Sequence, residues 1–380
     1  MSIPQAKQMR RAYGFDEVAI VPGDATVNPA MTEISLRIDH LEFALPFLAA
    51  AMDAVVDPKF AIGFGKQGGL AVLNLEGVQT RYDDPAGVLE QVASASPEEA
   101  TSILQRVYAE PIRPELIGMR IEEVKRGGAV CAVSCTPANT KKFAPVAKEA
   151  GVDVLLVQST VTTARHLSYS EKGLILADLV RQMAPVPVLV GNAVSYNACK
   201  EIMEAGVSGV LVGVGPGSAC TSREVLGIGV PQVTATMDCA AARDQYYRET
   251  NRYVPIITDG GIRSGGDMCK AFAAGADGIM LGSILAACAE APGRGHHWGM
   301  ATPHADLPRG VHVRVGVTTT LQQVLFGPSH HTDGTENFAG ALRTSMGMCG
   351  ARNIREFQQA ELVVAPSIKT EGKQIQRSQS

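Results

Sequence analysis

The sequence predicts an α/β protein of the (β/α)8, or TIM, barrel class, and three observations carry that prediction. Eight short, almost continuously apolar runs recur along the chain. Runs of that kind, rich in β-branched residues and without polar alternation, are how strands buried on both faces of a parallel sheet read. Longer, helix-friendly segments separate them, and eight strand–helix units make a closed barrel. No Gly-rich dinucleotide fingerprint follows the first run, which argues against an open, doubly wound sheet. The 380 residues suit a single domain of this class, residues 1–380, because barrels run from about 200 to more than 400 residues.

In order, the expected strands lie in Leu45–Ala50, Gly69–Leu75, Ala129–Cys135, Val152–Gln158, Val186–Asn192, Ser208–Gly215, Val254–Gly261 and Asp277–Ser283. Between the fifth and sixth, Tyr196–Gly206 reads as a helix, with Cys199, Ile202, Met203 and Gly206 on one face. Gly266–Ala276 reads as the helix between the last two strands. Two stretches interrupt the rhythm. Glu76–Gly128 is long and polar, with helices expected, and Ala291–Gly334 is rich in Gly, Pro and His. Irregular chain of that length in a compact domain marks a lid or binding loop, so a short flap is expected around 291–334. The polar tail Lys369–Ser380 is expected to be disordered or to cross to a neighbouring subunit. No inserted domain is expected.

Composition narrows the function. Hydrophobic residues make up 46% and charged residues 19%, enough for a large core and unlike a disordered or collagen-like chain. Lys and Arg total 34 against 38 Asp and Glu, without a polybasic run, which argues against a nucleic-acid partner. The eight cysteines are scattered, and only Cys131 and Cys135 are closely spaced, with no second pair nearby. Neither a zinc site nor a disulfide framework follows, and reduced thiols suit a cytoplasmic protein. The start, MSIPQAKQMRR, lacks the apolar stretch of a signal peptide. No run approaches the roughly 18 apolar residues of a membrane span.

In this fold the chemistry belongs at the C-terminal ends of the strands. After the sixth strand the chain reads GVGPGSACTSREVLGIGVPQ, Gly213–Gln232. Gly213, Gly215 and Gly217 free backbone N–H groups for an anion or carbonyls for a cation. Cys220 follows, with Ser222 and Arg223 close behind. A cysteine at a strand end in such a loop is placed to become a thiolate nucleophile. The alternative, one more small buried hydrophobe, fits the Gly/Ser/Thr surroundings less well. The seventh strand ends in DGGIRSGGD, Asp259–Asp267, and the eighth in Leu281–Ser283. Gly260, Gly261, Gly282 and Ser283 can donate to a phosphate, although such glycines also serve plain tight turns. Asp259 suits a pair of ribose hydroxyls, since a carboxylate accepts two hydrogen bonds. Phosphate, diol and thiol together describe a nucleotide attacked by cysteine.

The run GPGSACTSRE with GVPQ downstream resembles the catalytic loop of the IMP dehydrogenase/GMP reductase family. AAAMDAVVD (Ala49–Asp57), AGVDVLLV, VGNAVS, DGGIRSGGD, MLGSILAACAEAPG, HWGM and TSMGMCGA fall in that family's order over nearly the whole chain. The resemblance implies an NAD(P)-dependent oxidoreductase of purine metabolism that binds a purine mononucleotide (GMP, IMP or XMP) as a homotetramer or homo-octamer. By the same resemblance Cys220 attacks C2 of the purine, with the Ser222 hydroxyl beside it. Ser218, Gly260, Gly261, Gly282 and Ser283 match the phosphate loops, and Asp259 matches the ribose contact. Gly299 and Met300 match the loop that reads the base. Asn192 and Asp53 match positions near the reacting ring, and with Gln158 and Ser159 they fall where the cofactor, NADPH or NAD, is bound. The carbonyls of Gly215, Gly217 and Cys220 match a potassium site, to which Glu371 and Gly372 of a neighbouring subunit would add. The tandem regulatory domain of many IMP dehydrogenases has no counterpart between the second and third strands.

The departures bear on the reaction. The family's aspartate at the end of the fourth strand is Gln158 here. The flap Ala301–Gly310 is short and has no counterpart of the water-activating Arg–Tyr pair; Arg309 stands where an acid or amide is usual. Leu211 replaces a common Lys or Arg. His297 lies where a phosphate-binding Tyr often sits: protonated it could serve a phosphate, and with His296 it could equally be a solvated loop residue. His330 and His331 are expected at the surface. Both family reactions pass through a thioimidate on Cys220. IMP dehydrogenase must then hydrolyse it, and general-base help is worth about 10²–10⁴-fold. GMP reductase needs a proton donor for ammonia but no activated water, so the short flap favours it. The acid expected beside Ser222 is missing, and nothing in the sequence places Asp306 or Glu224 there. GMP reductase is therefore the leading expectation. The alternatives are IMP dehydrogenase, a nucleotide-binding paralogue with little turnover, and an FMN-dependent barrel oxidoreductase that would not need the Cys220 loop.

Overall fold

The computed structural model describes residues 8–166, 173–299 and 311–366. Its centre is a closed barrel of strands β1 (Phe47–Ala49), β2 (Leu70–Asn74), β3 (Ala132–Cys135), β4 (Val154–Gln158), β5 (Val188–Ala193), β6 (Gly209–Val212), β7 (Ile256–Asp259) and β8 (Gly278–Leu281). Every neighbouring pair is parallel and in sequence order. The barrel closes between β8 and β1, where Ile279 pairs with Phe47 and Leu281 with Ala49. Each apolar run contains one of these strands except the fifth, where β5 runs one residue past Val186–Asn192 to Ala193.

Period-two alternation explains why the runs are apolar throughout. One set of side chains, including Leu48, Leu70, Val72, Leu156, Leu189, Leu211, Ile257 and Met280, fills the barrel interior. Leu36, Ile38 and Phe43, from the antiparallel hairpin Leu36–Ile38 and Leu41–Phe43, join that cluster. Leu36 lies against Gly278, at the start of β8, so the hairpin covers the N-terminal end of the barrel. Alternate residues such as Phe47, Leu73, Val133, Val157, Val190, Val212, Ile256 and Ile279 face outward into the helical layer. Both faces are buried, so neither can be polar.

The helices follow in order: α1 (Pro58–Lys66), α2 (Pro85–Ala93), α3 (Pro97–Ala109), α4 (Pro114–Arg126), α5 (Pro137–Glu149), α6 (Leu176–Met183) and α7 (Tyr196–Glu204). Then come α8 (Ser222–Leu226), α9 (Gln232–Thr250), α10 (Gly265–Ala273), α11 (Ser283–Ala286), α12 (Leu321–Phe326), α13 (Phe338–Met348) and α14 (Ile354–Phe357). Local chemistry sets their starts. Asp57 caps α1 by accepting the Phe60 N–H at 2.6 Å, with Pro58 in the first turn. Ser195 and Ser264 cap α7 and α10 in the same way. Cys199, Ile202 and Met203 of α7 are all buried, as their spacing predicts.

The polar stretch after β2 folds into α2, α3 and α4, which add a lobe beside the barrel mouth. Leu89, Val92, Leu104, Val107 and Tyr108 pack there with Trp298 as a separate apolar cluster. Trp298 belongs to a short antiparallel pair, His296–Trp298 with His312–Arg314, at the root of the flap. Its indole N–H donates to the Tyr108 oxygen at 2.7 Å. Among the described residues no helix is long and apolar enough to cross a membrane.

Candidate active site

A cavity of about 1390 Å³ opens at the C-terminal end of the barrel, lined from the ends of all eight strands or the loops after them. The loop after β6 forms one wall. It leaves the strand at Gly213, whose φ of +149° and position leave no room for a side chain: a Cβ there would meet the Asp259 carbonyl oxygen at 2.2 Å. The loop returns at Gln232, the first residue of α9. The Gln232 amide donates to the Val212 carbonyl at 2.7 Å and the Asp259 carbonyl at 2.9 Å, tying the ends of β6 and β7 together.

Cys220 stands on this wall, exposed to the cavity. Its N–H donates to the Gly217 carbonyl at 3.0 Å. Its Sγ lies 3.3 Å from the Ser222 hydroxyl, which is only 2% exposed. The thiol thus faces the cavity with a buried hydroxyl behind it. Gly215 and Gly217 share the loop and the cavity wall. Gly217 already gives one carbonyl lone pair to Cys220. No group of three or more His, Cys, Asp or Glu side chains among the described residues is placed to hold a metal ion.

Next to the thiol is a cluster of hydroxyls. The Ser218 and Ser283 oxygens are 2.6 Å apart, and Ser283 is 3.0 Å from His297 Nε2. Gly260, Gly261 and Gly282 line the cavity beside them, Gly260 and Gly261 at φ of +90° and +79°. The structure corrects the reading of His297. It is no solvated loop residue, being 1% exposed, and burial together with neighbouring His312 pushes its pKa down to about 4. At neutral pH its ring is uncharged and pairs with Ser283.

Deeper in, the ends of β4, β5 and β7 bring Gln158, Asn192 and Asp259 together. Gln158 Nε2 donates to Asp259 Oδ2 at 2.9 Å and to Asn192 Oδ1 at 3.0 Å. Asn192 Nδ2 donates to the same Asp259 Oδ2 at 2.8 Å. Burial pushes the Asp259 carboxyl up to about 6, while the two amides pull it the other way.

The opposite half of the cavity was not legible residue by residue. Asn74, Glu76, Arg81, Ser134, Thr136, Ser159 and Thr160 line it, at or just after the ends of β2, β3 and β4. The Glu76 carboxylate accepts the Thr136 N–H at 2.5 Å and the Asn139 amide at 2.9 Å. Arg81 donates to the Glu76 carbonyl at 3.1 and 3.0 Å. Apart from Ser159, which the resemblance had named, the only signal for these residues was their position at strand ends. Gly299 lines the cavity, as expected, and exposed His331 and Asp333 stand at its mouth, while Met300, the flap Ala301–Gly310 and Glu371–Gly372 lie outside the described residues. Glu224 is exposed on α8 and does not line the cavity.

Asp53 does not follow its expected placement. It is fully buried and does not line the cavity. Its Oδ2 accepts the Val78 N–H at 2.7 Å and the Tyr108 O–H at 2.6 Å. The carboxylate thus turns into the lobe of α2–α4, where it joins the Tyr108–Trp298 chain at the root of the flap, rather than into the cavity.

Residues 12–373 match the family model of the IMP dehydrogenase / GMP reductase domain. An uncharacterized oxidoreductase of Mycolicibacterium smegmatis is 38% identical over 373 residues, covering 96% of this chain and 99% of that protein. The inosine-5'-monophosphate dehydrogenase of Methanocaldococcus jannaschii is 26% identical over 493 residues, covering 98% of this chain and 96% of that protein. Among solved structures, an IMP dehydrogenase/GMP reductase-like protein from Corynebacterium glutamicum superimposes with a TM-score of 0.89 at 36% identity, covering 96% of this chain and 97% of that one.

Proposed function

Since this chain belongs to the IMP dehydrogenase/GMP reductase family, we propose that it is a purine-nucleotide oxidoreductase that converts GMP to IMP through a thioimidate on Cys220. The observation that carries the reading is the placement of the Cys220 thiol, 3.3 Å from Ser222 Oγ, on a wall shared with the Ser218–Ser283 hydroxyls and the Asp259 carboxylate. Those groups suit the three parts of a ribonucleotide monophosphate. The Ser218 and Ser283 hydroxyls and the neighbouring loop N–H groups bind the phosphate. Asp259 accepts the ribose hydroxyls and sets C2 of the base against the thiol. Cys220 then adds to C2, and ammonia leaves as the C–N bond breaks and the C–S bond remains. The proton that Cys220 gives up passes through the Ser222 hydroxyl, 3.3 Å away, to the departing amino group, so that it leaves as ammonia.

The far half of the cavity offers a nicotinamide dinucleotide, NADPH or NADH, the hydroxyls of Ser134, Thr136, Ser159 and Thr160. The bound nicotinamide supplies the hydride that replaces sulfur at C2.

The reductase direction is favoured over IMP dehydrogenase because, among the described residues, no arginine–tyrosine pair lines the cavity. No tyrosine is among the described cavity-lining residues. The lining arginines are occupied: Arg81 by the Glu76 carbonyl, Arg223 by the Val230 carbonyl, and Arg263 by Asp16 and Asp267. In this reading the whole chain is one catalytic domain that works in the cytoplasm as a homotetramer or homo-octamer, with potassium on the carbonyls of Gly215, Gly217 and Cys220.

Two assays on purified protein with potassium present test it. One contains GMP with NADPH or NADH, the other IMP with NAD or NADP, each followed by absorbance of the reduced nicotinamide. Consumption with GMP alone supports the reductase. Production with IMP alone overturns it in favour of the dehydrogenase. Silence in both, with nucleotides raising the melting temperature, marks a binding paralogue.

A further inference from the structure

At the end of β4, where the resemblance expects a carboxylate for the dinucleotide, the Gln158 side chain turns to the other ligand's half. Its amide nitrogen bridges Asn192 Oδ1 and Asp259 Oδ2, and Asn192 completes the triangle on that same Oδ2. Among the described residues no donor meets Asp259 Oδ1, which leaves that oxygen for a ligand. We infer that Gln158 is a positioning residue for the nucleotide's ribose, holding the Asp259 carboxylate with Asn192, and that it does not grip the dinucleotide. The inference rests on the nucleotide reading above.

The chemistry at 158 is specific. An aspartate or glutamate reaching Asp259 would set two negative charges in one enclosed spot, so that one of them would take up a proton. A protonated Asp259 accepts hydrogen bonds poorly from a diol. The amide supplies two donated bonds without charge. It helps to keep Asp259 ionised against the burial that raises its pKa. The three side chains come from three different barrel strands, so they are held by the barrel itself rather than by a loop.

The test uses full-length wild-type protein, Q158A and the isosteric Q158E, with binding measured by calorimetry. The ligands are IMP, 2′,3′-dideoxy-IMP, NADH and NADPH. The wild type is expected to bind IMP more tightly than its dideoxy analogue. Losing a hydrogen bond to a charged group should weaken IMP binding about ten-fold in Q158A, and at least as much in Q158E. Binding of the dideoxy analogue and of both dinucleotides should stay within about two-fold of wild type, inside the usual scatter of such measurements. Equal losses for IMP and its dideoxy analogue would show general damage and overturn the inference. So would a loss confined to the dinucleotides, or variants that bind IMP as wild type does. A wild type that binds no purine ribonucleotide overturns the nucleotide reading itself, and this inference with it.

Discussion

Cys220 and Ser222 sit two residues apart, yet their environments differ sharply: the thiol is exposed to the cavity and the hydroxyl is buried. Cys220→Ala should abolish turnover while leaving the nucleotide dissociation constant within about three-fold, because the proposed phosphate and ribose contacts lie elsewhere. Residual full turnover in that variant, read in the same absorbance assay, would sink the covalent mechanism. Gly213 is as sensitive as the thiol for a different reason. A Cβ there would meet the Asp259 carbonyl at 2.2 Å with φ at +149°. Gly213→Ala should therefore cost more than about 2 kcal/mol in a denaturant titration and lower kcat by displacing the Cys220 loop. The motif residues Cys220, Asp259 and Ser283 were legible in the sequence because a strand end and its glycines place them whatever the rest of the chain does. The neutrality of His297 and the inward turn of Asp53 were not. Both depend on tertiary surroundings, burial with the nearby charge of His312 in one case and the Tyr108 hydroxyl in the other.

Among the elements, the barrel strands were the most legible. A strand covered on both faces must be apolar at every position, and that signal survives without an alignment. Their ends were less clear: Ser208–Gly215 and Val254–Gly261 ran past β6 and β7 into the glycines that begin the cavity loops. The lobe after β2 was expected only as helical. Pro85, Pro97 and Pro114 start α2, α3 and α4, and proline at the first helical position would have located all three. Gln232 is an element-scale device that the motif alone did not explain. It is 3% exposed, and its amide serves carbonyls at the ends of two strands. Gln232→Ala would leave both carbonyls short of a donor, at about 2–4 kcal/mol. Melting temperature should fall, and kcat should fall further than the loss of folded protein accounts for. A variant that melts lower but turns over normally per folded molecule would confine Gln232 to stability.

For the molecule as a whole, the cavity wall holds two groups whose proton affinities burial shifts in opposite directions, Asp259 upward and His297 downward. Asp259 has its pKa raised to about 6, against about 3.9 in an unfolded chain. The folded protein therefore binds its proton more tightly. This carboxylate costs stability above pH 6, and the cost disappears as pH falls toward 4. His297 has its pKa lowered to about 4, against about 6.5 unfolded. Its contribution is fully present above pH 6.5 and is lost as pH falls through the same window. The two opposing contributions leave wild-type stability nearly flat with respect to this pair. Single variants expose each one. Asp259→Asn should melt above wild type at pH 7.5 and fall more steeply than wild type between pH 6.5 and 4. His297→Gln, which keeps an acceptor for Ser283, should do the reverse and gain on wild type as the solution is acidified. Each divergence should approach about 2 kcal/mol, since every tenfold change in proton affinity is worth roughly 1.4 kcal/mol. Thermal melts of the three proteins from pH 4 to 7.5 measure it directly, since every other titrating group is common to all. Parallel curves would mean that neither group carries a displaced proton equilibrium. Divergence of opposite sign would show that burial tightens the proton on Asp259 and loosens it on His297 in the folded protein.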